Sequence, residues 1–377
     1  MTHYGSTRAR LLIGLAAVAI IASACSSGGG ASAEPSGAAP STAASAGASA
    51  EASGGTGTGS YTIGFANGAG TGNGWREASI CSAKAQAAAS GEVSAITVIH
   101  HDVDAAGQLA DIRDLIAKDV DAIIVNPNDP AALNDGIKEA TDKGIVVVAI
   151  DASVTEPTAY NLSNDQEQYA YLGAKWLFEQ LGGNGSVVYM RGVAGHPADT
   201  DRDTGFKKAL AEYPGITVAK EVATKWDPAT ATTQINDILA SGVDFDGIWT
   251  SGIDSTIVEA LTTANHPQVP IVGADNAGFV NQLLTMADLK GAAVTNPAAV
   301  GGAGVALALQ ILNGQKPDGN TVHVTPEQWD NATEEGKAAL TAAADPSLPK
   351  EWPLGLTVQD WTTYEKDALI ACKGPGE

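Results

Sequence analysis

The stretch AIIVNPNDPAALNDGIKEATDKGIVVVAID, residues 122–151, decides the fold. Two apolar runs rich in Ile and Val, AIIV and IVVVAI, flank the segment PAALNDGIKEATDKG, which reads as a helix that ends at a glycine. Short apolar strands that alternate with helices are typical of a parallel sheet that is covered on both faces. We therefore predict a strand-helix-strand unit here.

The same alternation continues on both sides of this unit. The other predicted strands are YTIGFAN, AITVIHH, SVVYMRG, ITVAKEVA, GIWTSG, VPIVGAD and GAAVTN, and helical segments separate most of them. The alternation of strands and helices begins again near residue 164. The chain from Tyr61 onward has about 317 residues, which is longer than one hydrophobic core usually serves and suggests two domains. The sequence predicts an α/β protein with two doubly wound parallel-sheet lobes.

The start of the chain has the pattern of a bacterial lipoprotein signal. Arg8 and Arg10 precede the apolar run LLIGLAAVAIIASA, which ends at Cys25. We expect cleavage after residue 24 and lipid on Cys25; the alternative is a secretory signal with an incidental cysteine. Residues 26–59 are almost all Gly, Ala, Ser, Thr and Pro, which predicts a flexible linker. The expected location is extracytoplasmic, at the bacterial cell membrane, through the lipid anchor alone.

The net charge limits the partners that the protein surface can bind. The formal net charge of −22 disfavours binding to nucleic acid or to anionic lipid.

Besides Cys25, the chain has Cys81 and Cys372. Outside the cytoplasm these two can form a disulfide that joins the C-terminal tail to the first helix, or they can be two buried thiols.

Polar and aromatic residues follow many of the predicted strands. Because ligands bind at the carboxyl ends of parallel strands, these residues predict a cleft between the lobes. Planar polar groups pair with sugar hydroxyls, and rings such as Trp75 and Trp226 cover the apolar faces of sugars. Arg202 falls in the first turn of a predicted helix, a poor place for a cation. It is expected to have a separate anionic or polar partner, or else a surface salt bridge.

Six segments carry a family resemblance: NGW, VNPNDPAA, GHPADTDR, KWDPATATTQ, VGAD and AVTNP. They resemble segments of the periplasmic sugar-binding proteins of ABC transporters, type I fold, the group that holds the ribose-binding and glucose/galactose-binding proteins. The likeness covers about residues 61–326. It implies eight ligand-binding residues, namely Asn73, Trp75, Asp151, His196, Arg202, Trp226, Asp275 and Asn296. Asn126 is expected to support the site from behind the ligand-binding residues. Ser251 and Asp254 are uncertain positions, because WTSGIDS lacks the asparagine that is usual after the sixth strand and one of the two would have to replace it.

The resemblance also implies the domain plan and the function. We expect residues 60–163 with 297–323 in lobe one, and 164–296 with 324–377, including the tail, in lobe two, joined by a hinge. The expected function is capture of a monosaccharide, a hexose or pentose, by hinge closure, and its delivery by a monomeric protein to an ABC permease with its ATPase. Alternative ligands are a sugar alcohol, a furanose signal molecule or another small polar molecule.

Other classes of protein fit the sequence less well. His100, His101, Asp102 and Asp104 do not have the spacing of a standard metal site, and GAGTGNG lacks the P-loop lysine. The sensor half of a repressor would need a DNA-binding segment where the signal and linker stand. Because the sequence shows no standard metal-site spacing and no phosphate-binding loop, we expect no enzyme activity, no cofactor and no metal.

The lipoprotein pattern gives the first testable prediction. A Cys25→Ser variant loses the expected lipid attachment site, so it should leave the membrane fraction after cell lysis. Fractionation and immunoblotting of the wild type and the variant check this. A variant that still sediments with membranes would place the anchor elsewhere.

Overall fold

The computed structural model describes residues 60–68 and 72–377, and the expectations for residues 1–59 lie outside them. The chain first forms β1 (Tyr61–Asn67), α1 (Gly74–Ser90), β2 (Val93–His100), α2 (Ala105–Ala117), β3 (Ala122–Asn126), α3 (Asn134–Asp142), β4 (Val146–Asp151) and β5 (Tyr160–Asn164). It continues with α4 (Gln166–Gln180), β6 (Asn184–Arg191), α5 (Pro197–Glu212), β7 (Gly215–Ala223), α6 (Pro228–Ser241), β8 (Gly247–Trp249), α7 (Asp254–Thr263), β9 (Ile271–Ala274), α8 (Ala277–Thr285) and β10 (Gly291–Val294). It ends with α9 (Val300–Leu312), β11 (Thr321–Val324), β12 (Gln328–Asp330), α10 (Glu334–Ala343) and α11 (Lys366–Ala371).

The first lobe is a six-stranded parallel sheet in the order β11-β5-β4-β3-β1-β2. Successive side chains of a strand face opposite sides, so neighbouring residues of β3 enter different cores. Ile124 packs with Ile63 and Phe65 beneath α1 and α9. Ile123 joins Ile112 in the core beneath α2 and α3. The apolar strands predicted from the sequence are therefore buried on both faces.

The second lobe has a sheet in the order β12-β10-β9-β8-β6-β7. Its strands are parallel except for β12, which runs antiparallel to β10. Aromatic side chains fill the face under α4 and α5, where Tyr189 stacks on Phe206 with ring centroids 3.8 Å apart. Aliphatic side chains fill the face under α6, α7 and α8. Two parallel α/β lobes confirm the predicted fold class.

Besides the C-terminal tail, three segments of the described chain cross between the lobes near the cleft. They follow β5, β10 and β11. The crossing after β5 is hydrogen-bonded to the end of β11, and the crossing after β10 is hydrogen-bonded to the crossing after β11. The backbone N–H of Asp165 donates to Val324 O at 3.0 Å, and that of Thr295 donates to Glu327 O at 2.8 Å. These bonded crossing segments lie where the sequence predicts the hinge between the lobes.

The C-terminal tail after α10 contacts both lobes. Its first part lies on the second lobe, where the backbone N–H of Ala277 donates to Trp352 O at 2.9 Å. Its last part lies on the first lobe, where Tyr364 Oη and Ser82 Oγ are 2.8 Å apart. Cys372 forms a disulfide with Cys81 of α1. The covalent bond therefore ties the end of the chain to the first lobe.

The disulfide predicts a specific pattern of stabilities. Replacing either cysteine with alanine should lower the free energy of unfolding by about 2–4 kcal/mol, because the unfolded chain gains the freedom of a long open loop. The double variant should cost no more than either single variant, since both remove the same bond. Denaturant titration of the three variants measures this. Additive losses, or two free thiols in the denatured wild type, would contradict the pairing.

Candidate ligand-binding site

Two helix starts face each other across the cleft. Asn73 caps α1, where its Oδ1 accepts from Arg76 N at 3.2 Å, and its Nδ2 donates to Trp226 O of the other lobe at 3.3 Å. His196 caps α5, where its Nδ1 accepts from Ala198 N at 3.2 Å. These caps satisfy backbone N–H groups that a helix start leaves unpaired. They also fix the loops from which the neighbouring side chains reach the cleft.

A cavity of about 70 Å³ lies between the lobes. This volume is well above the roughly 10–15 Å³ that a cavity needs to hold one water molecule, so there is room for more than a single solvent molecule. Its lining residues are Gly72, Asn73, Gly74, Trp75, Arg76, Asp151, Ala198, Arg202, Trp226, Pro228, Ser251, Gly252, Ala274, Asn276, Asn296 and Glu351. Seven of the eleven residues singled out from the sequence as binding or supporting positions are in this set.

Two tryptophans supply the apolar walls. Trp75 of the first lobe donates from Nε1 to Asn296 O at 2.6 Å, which fixes its ring beside the hinge. Trp226 of the second lobe donates from Nε1 to Ser251 Oγ at 3.3 Å. Its backbone has a φ of 54°, a conformation that is strained for a bulky residue. Strain of this kind persists where the surroundings hold a side chain in one position, here with its ring toward the cavity.

Gly192 makes room for the Trp226 ring. A Cβ built on Gly192 would lie 2.1 Å from the ring carbon Cε2 of Trp226. The strand end at β6 therefore needs a glycine if the tryptophan is to keep its position.

Asp151 is the central charged group of the cavity. It is 6% exposed, and its Oδ1 accepts from Gln166 Nε2 at 2.7 Å and from Asn164 Nδ2 at 3.2 Å. Burial raises the pKa of Asp151, and the charges of Arg202 and Arg76 oppose that rise. Its φ of 65° is a left-handed conformation that aspartate tolerates better than most residues.

Arg202 has buried partners rather than a surface salt bridge. Its Nε donates to Gln166 Oε1 at 2.7 Å, and its guanidinium lies 4.4 Å from the centre of the Tyr169 ring. The amide of Asn296 is within hydrogen-bonding distance of both Arg202 Nη2 and Trp75 Nε1. The expected separate polar partner is therefore Gln166, which also holds Asp151.

Arg76 is a cavity residue that sequence reasoning missed. It is 5% exposed, its Nη1 donates to Asn67 Oδ1, and its Nη2 lies 3.2 Å from His196 Nε2 across the cleft. Burial lowers its pKa to about 10, against the opposing charge of Asp151. Arg76 lies in the first turn of α1, so the dipole argument applied to Arg202 could have found it. Gln166 gave no comparable signal.

Four of the expected residues lie beside the cavity rather than on its surface. Asp275 accepts from Asn296 N and Gly355 N, both at 3.0 Å, and burial raises its pKa to about 6. Asp254 accepts from Gly252 N at 3.1 Å and from Ala274 N at 3.0 Å, and burial raises its pKa to about 7. These two carboxylates hold the loops beside the cavity in place through hydrogen bonds from backbone N–H groups.

His196 and Asn126 also lie behind the cavity surface. The His196 ring meets the Trp226 ring edge-on at 5.0 Å, and burial with the nearby arginines lowers its pKa well below the usual value, so it is neutral. Asn126 is fully buried at the end of β3, opposite Asn67 in the sheet register.

The described residues form no group of three or more His, Cys, Asp or Glu side chains that could hold a metal ion. His101 bonds Asp111 at 2.9 Å, and His100 approaches Glu77 at 3.3 Å. In the same part of the chain, no helix is long and apolar enough to cross a bilayer.

Two parallel α/β lobes around a polar cavity with aromatic walls define a ligand-binding protein of the hinged, two-lobed class. Residues 63–316 match the model of the periplasmic binding protein domain. The chain belongs to this family, which confirms the type I periplasmic sugar-binding resemblance found in the sequence.

Relatives and solved structures agree with this assignment. The chain is 28% identical over 227 residues to the xylitol-binding protein of Mycolicibacterium smegmatis, a match that covers 59% of this chain and 65%, less than two thirds, of that protein. It is 22% identical over 224 residues to the ribose import binding protein RbsB of Escherichia coli, covering 59% and 75% of the two chains. The crystal structure of an ABC transporter solute binding protein from Thermobispora bispora superposes with a TM-score of 0.70 at 28% identity, over 78% of this chain and 90% of that one.

The close approach of Gly192 and Trp226 predicts an energetic coupling. Gly192→Ala should lower the free energy of unfolding by about 1–3 kcal/mol, since the new methyl group overpacks against the ring. In a Trp226→Ala background the same change should cost close to nothing, because the ring is gone. Denaturant titration of the four-protein cycle measures the coupling. Equal costs in both backgrounds would show that the ring does not occupy this position.

Proposed function

We propose that this protein is the substrate-binding component of an ABC importer and that it captures one monosaccharide between its lobes. The observation that carries the proposal is the arrangement around Asp151. A buried carboxylate, under the electrostatic influence of one arginine from each lobe, lines the same cavity as the two tryptophans. Carboxylate, amide and guanidinium groups pair with hydroxyls, and the indole rings cover a sugar's C–H faces.

Hinge closure follows from the distribution of these groups over both lobes. Asn73, Trp75, Arg76 and Asp151 belong to the first lobe, whereas Arg202 and Trp226 belong to the second. A ligand that contacts both sets stabilises the closed arrangement relative to the open one by the contacts that only closure allows. The hydrogen bond from Asn73 Nδ2 to Trp226 O joins the two lobes directly at the cavity, which supports this proposal.

The Arg76–His196 contact leaves a hydrogen-bonding conflict that a ligand can relieve. Both ring nitrogens of His196 face N–H donors, those of Ala198 and Arg76. A neutral imidazole accepts at one nitrogen only, so one of these contacts is a poor hydrogen bond. A ligand hydroxyl that accepts from Arg76 would give its guanidinium a better partner, which favours binding of an oxygen-rich ligand at that point.

A sugar alcohol is the second candidate ligand, favoured by the likeness to a xylitol-binding protein. An open-chain polyol presents the same hydroxyls as a pentose but has no fixed ring face for the tryptophans. The lipid anchor at Cys25, an extracytoplasmic location and delivery to a permease with its ATPase complete the proposal. A monomer that binds and releases its ligand unchanged needs no cofactor and no catalytic group.

A ligand panel tests the proposed function. Purified protein is heated with hexoses, pentoses, inositol, xylitol and other sugar alcohols, and a ligand at about 100 times its dissociation constant should add roughly 2.7 kcal/mol of stability. For a protein of this size the melting temperature should rise by about 5–10 °C. No shift with any of these compounds, or conversion of one of them to a product, would contradict the proposal.

Arg202→Ala supplies the matching mutational prediction. It should weaken binding of the ligand found in the panel by about 1–3 kcal/mol, because it removes hydrogen bonds and leaves Gln166 without its charged partner. Isothermal titration calorimetry measures the change. Arg113→Ala is the control, since Arg113 pairs with Glu139 on the exposed surface of the first lobe. An Arg202 variant that binds as tightly as this control would exclude Arg202 from the site.

A further inference from the structure

The C-terminal tail reaches the ligand cavity. Glu351, which lies beyond the last residue of the family match, is one of the cavity-lining residues. Its backbone packs directly on the first turn of α1, because a Cβ built on Gly74 would lie 2.4 Å from Glu351 O. Gly74 stands between Asn73 and Trp75, two residues of the cavity wall. The tail therefore covers the cavity at the point where α1 begins.

The covering segment, residues 350–355, is held on the second lobe by backbone bonds. Gly278 N donates to Lys350 O and Ala277 N donates to Trp352 O, both at 2.9 Å. Leu354 N donates to Asp275 O at 2.8 Å, and Gly355 N donates to the Asp275 carboxylate at 3.0 Å. These bonds fix Glu351 in register with the start of α8.

The chain that follows the covering segment is held on the first lobe. Thr363 N donates to Gln86 Oε1 at 2.8 Å, and Tyr364 bonds Ser82. Leu356, Tyr364 and Leu369 share an apolar cluster with residues of α1, and the disulfide to Cys81 closes it. Because the segment is anchored on both sides, its place at the cavity is set by the fold and not by a free chain end.

Glu351 changes the charge of the cavity. The charged residues that line it are Arg76 and Arg202, which are positive, and Asp151 and Glu351, which are negative. The Glu351 side chain is 27% exposed, and its carboxylate lies 3.6 Å from Lys350 Nζ. Without Glu351 the lining would carry two positive charges and one negative charge, which would suit an acidic ligand. With Glu351 the formal charges of the lining balance.

We propose that the covering segment is part of the ligand-binding site and that Glu351 selects neutral polyhydroxylated ligands against acidic ones. This inference rests on the proposed function, since it concerns the choice of ligand in the same cavity. The physical basis is the cost of placing a ligand carboxylate or phosphate near the Glu351 carboxylate, which offsets its attraction to the arginines.

The test compares Glu351→Gln with a matched control, Glu365→Gln. Glu365 is an exposed tail carboxylate that does not line the cavity. Isothermal titration calorimetry at low salt gives the dissociation constants of the neutral sugar or polyol found in the panel and of its uronic or aldonic acid. Glu351→Gln should raise the affinity for the acid relative to the neutral ligand by about fivefold, the scale of one partly exposed charge interaction. Glu365→Gln should leave the ratio unchanged.

The possible outcomes separate this inference from the proposed function. An increase in the ratio with Glu351→Gln alone supports the role of Glu351. If the wild type binds a neutral ligand but Glu351→Gln leaves the ratio as it was, the selectivity role is wrong and the proposed function stands. A wild type that prefers the acid overturns the selectivity role in the same way. A wild type that binds neither kind of compound overturns both.

Discussion

The site depends on one buried carboxylate with cationic neighbours from both lobes. Asp151 is the last residue of β4 and has a left-handed backbone conformation. Gln166, the first residue of α4, donates a hydrogen bond to Asp151 and accepts one from Arg202. Gln166 follows directly on the first crossing between the lobes. A charge buried this deeply is costly unless it is paired and hydrogen-bonded. Gln166 therefore links the first crossing segment to the two charged side chains of the cavity, Asp151 and Arg202.

A second pair of carboxylates has a different task. Asp254 and Asp275 accept from backbone N–H groups at the ends of β8, β9 and β10, at Gly252, Ala274 and Asn296. Loops at strand ends leave such groups unpaired, and an unpaired buried N–H is destabilising. These aspartates thus hold the loops in place, while Asp151 is left to face the cavity. Asp275 was expected at the ligand from its place at a strand end and from the family resemblance, and neither signal distinguishes a ligand contact from a bond that holds a loop.

The fold was largely predictable because local patterns agreed with it. The apolar strands of residues 122–151 were found from Ile and Val runs, and α1 ends where its glycine, Gly91, adopts a left-handed cap. β5, β11 and β12 were missed because they are short and carry polar side chains, as in TVHV and QWD. They form through pairing with neighbours distant in sequence, and no local pattern reports such pairing.

The site was predictable to the extent that its residues follow strands. Trp75, Trp226, Arg202 and Asn296 come together as expected, because the carboxyl ends of parallel strands share an edge. Glu351 could not be found in this way, since it reaches the cavity from a tail with few regular elements. Its position depends on bonds to both lobes that only the folded chain reveals.

The tail also limits how the lobes can move. Its passage from the second lobe to the first lies beside a hinge segment, for a Cβ on Gly355 would lie 2.7 Å from Pro297 Cβ. Both ends of this passage are anchored, one by the bonds to Asp275 and the other by the cluster around Cys81. A rotation axis far from Gly355 would stretch the passage and break those bonds. For the proposed closure, the anchored passage therefore predicts a rotation axis near Pro297 and Gly355 and the widest opening at the edge of the cleft opposite the tail.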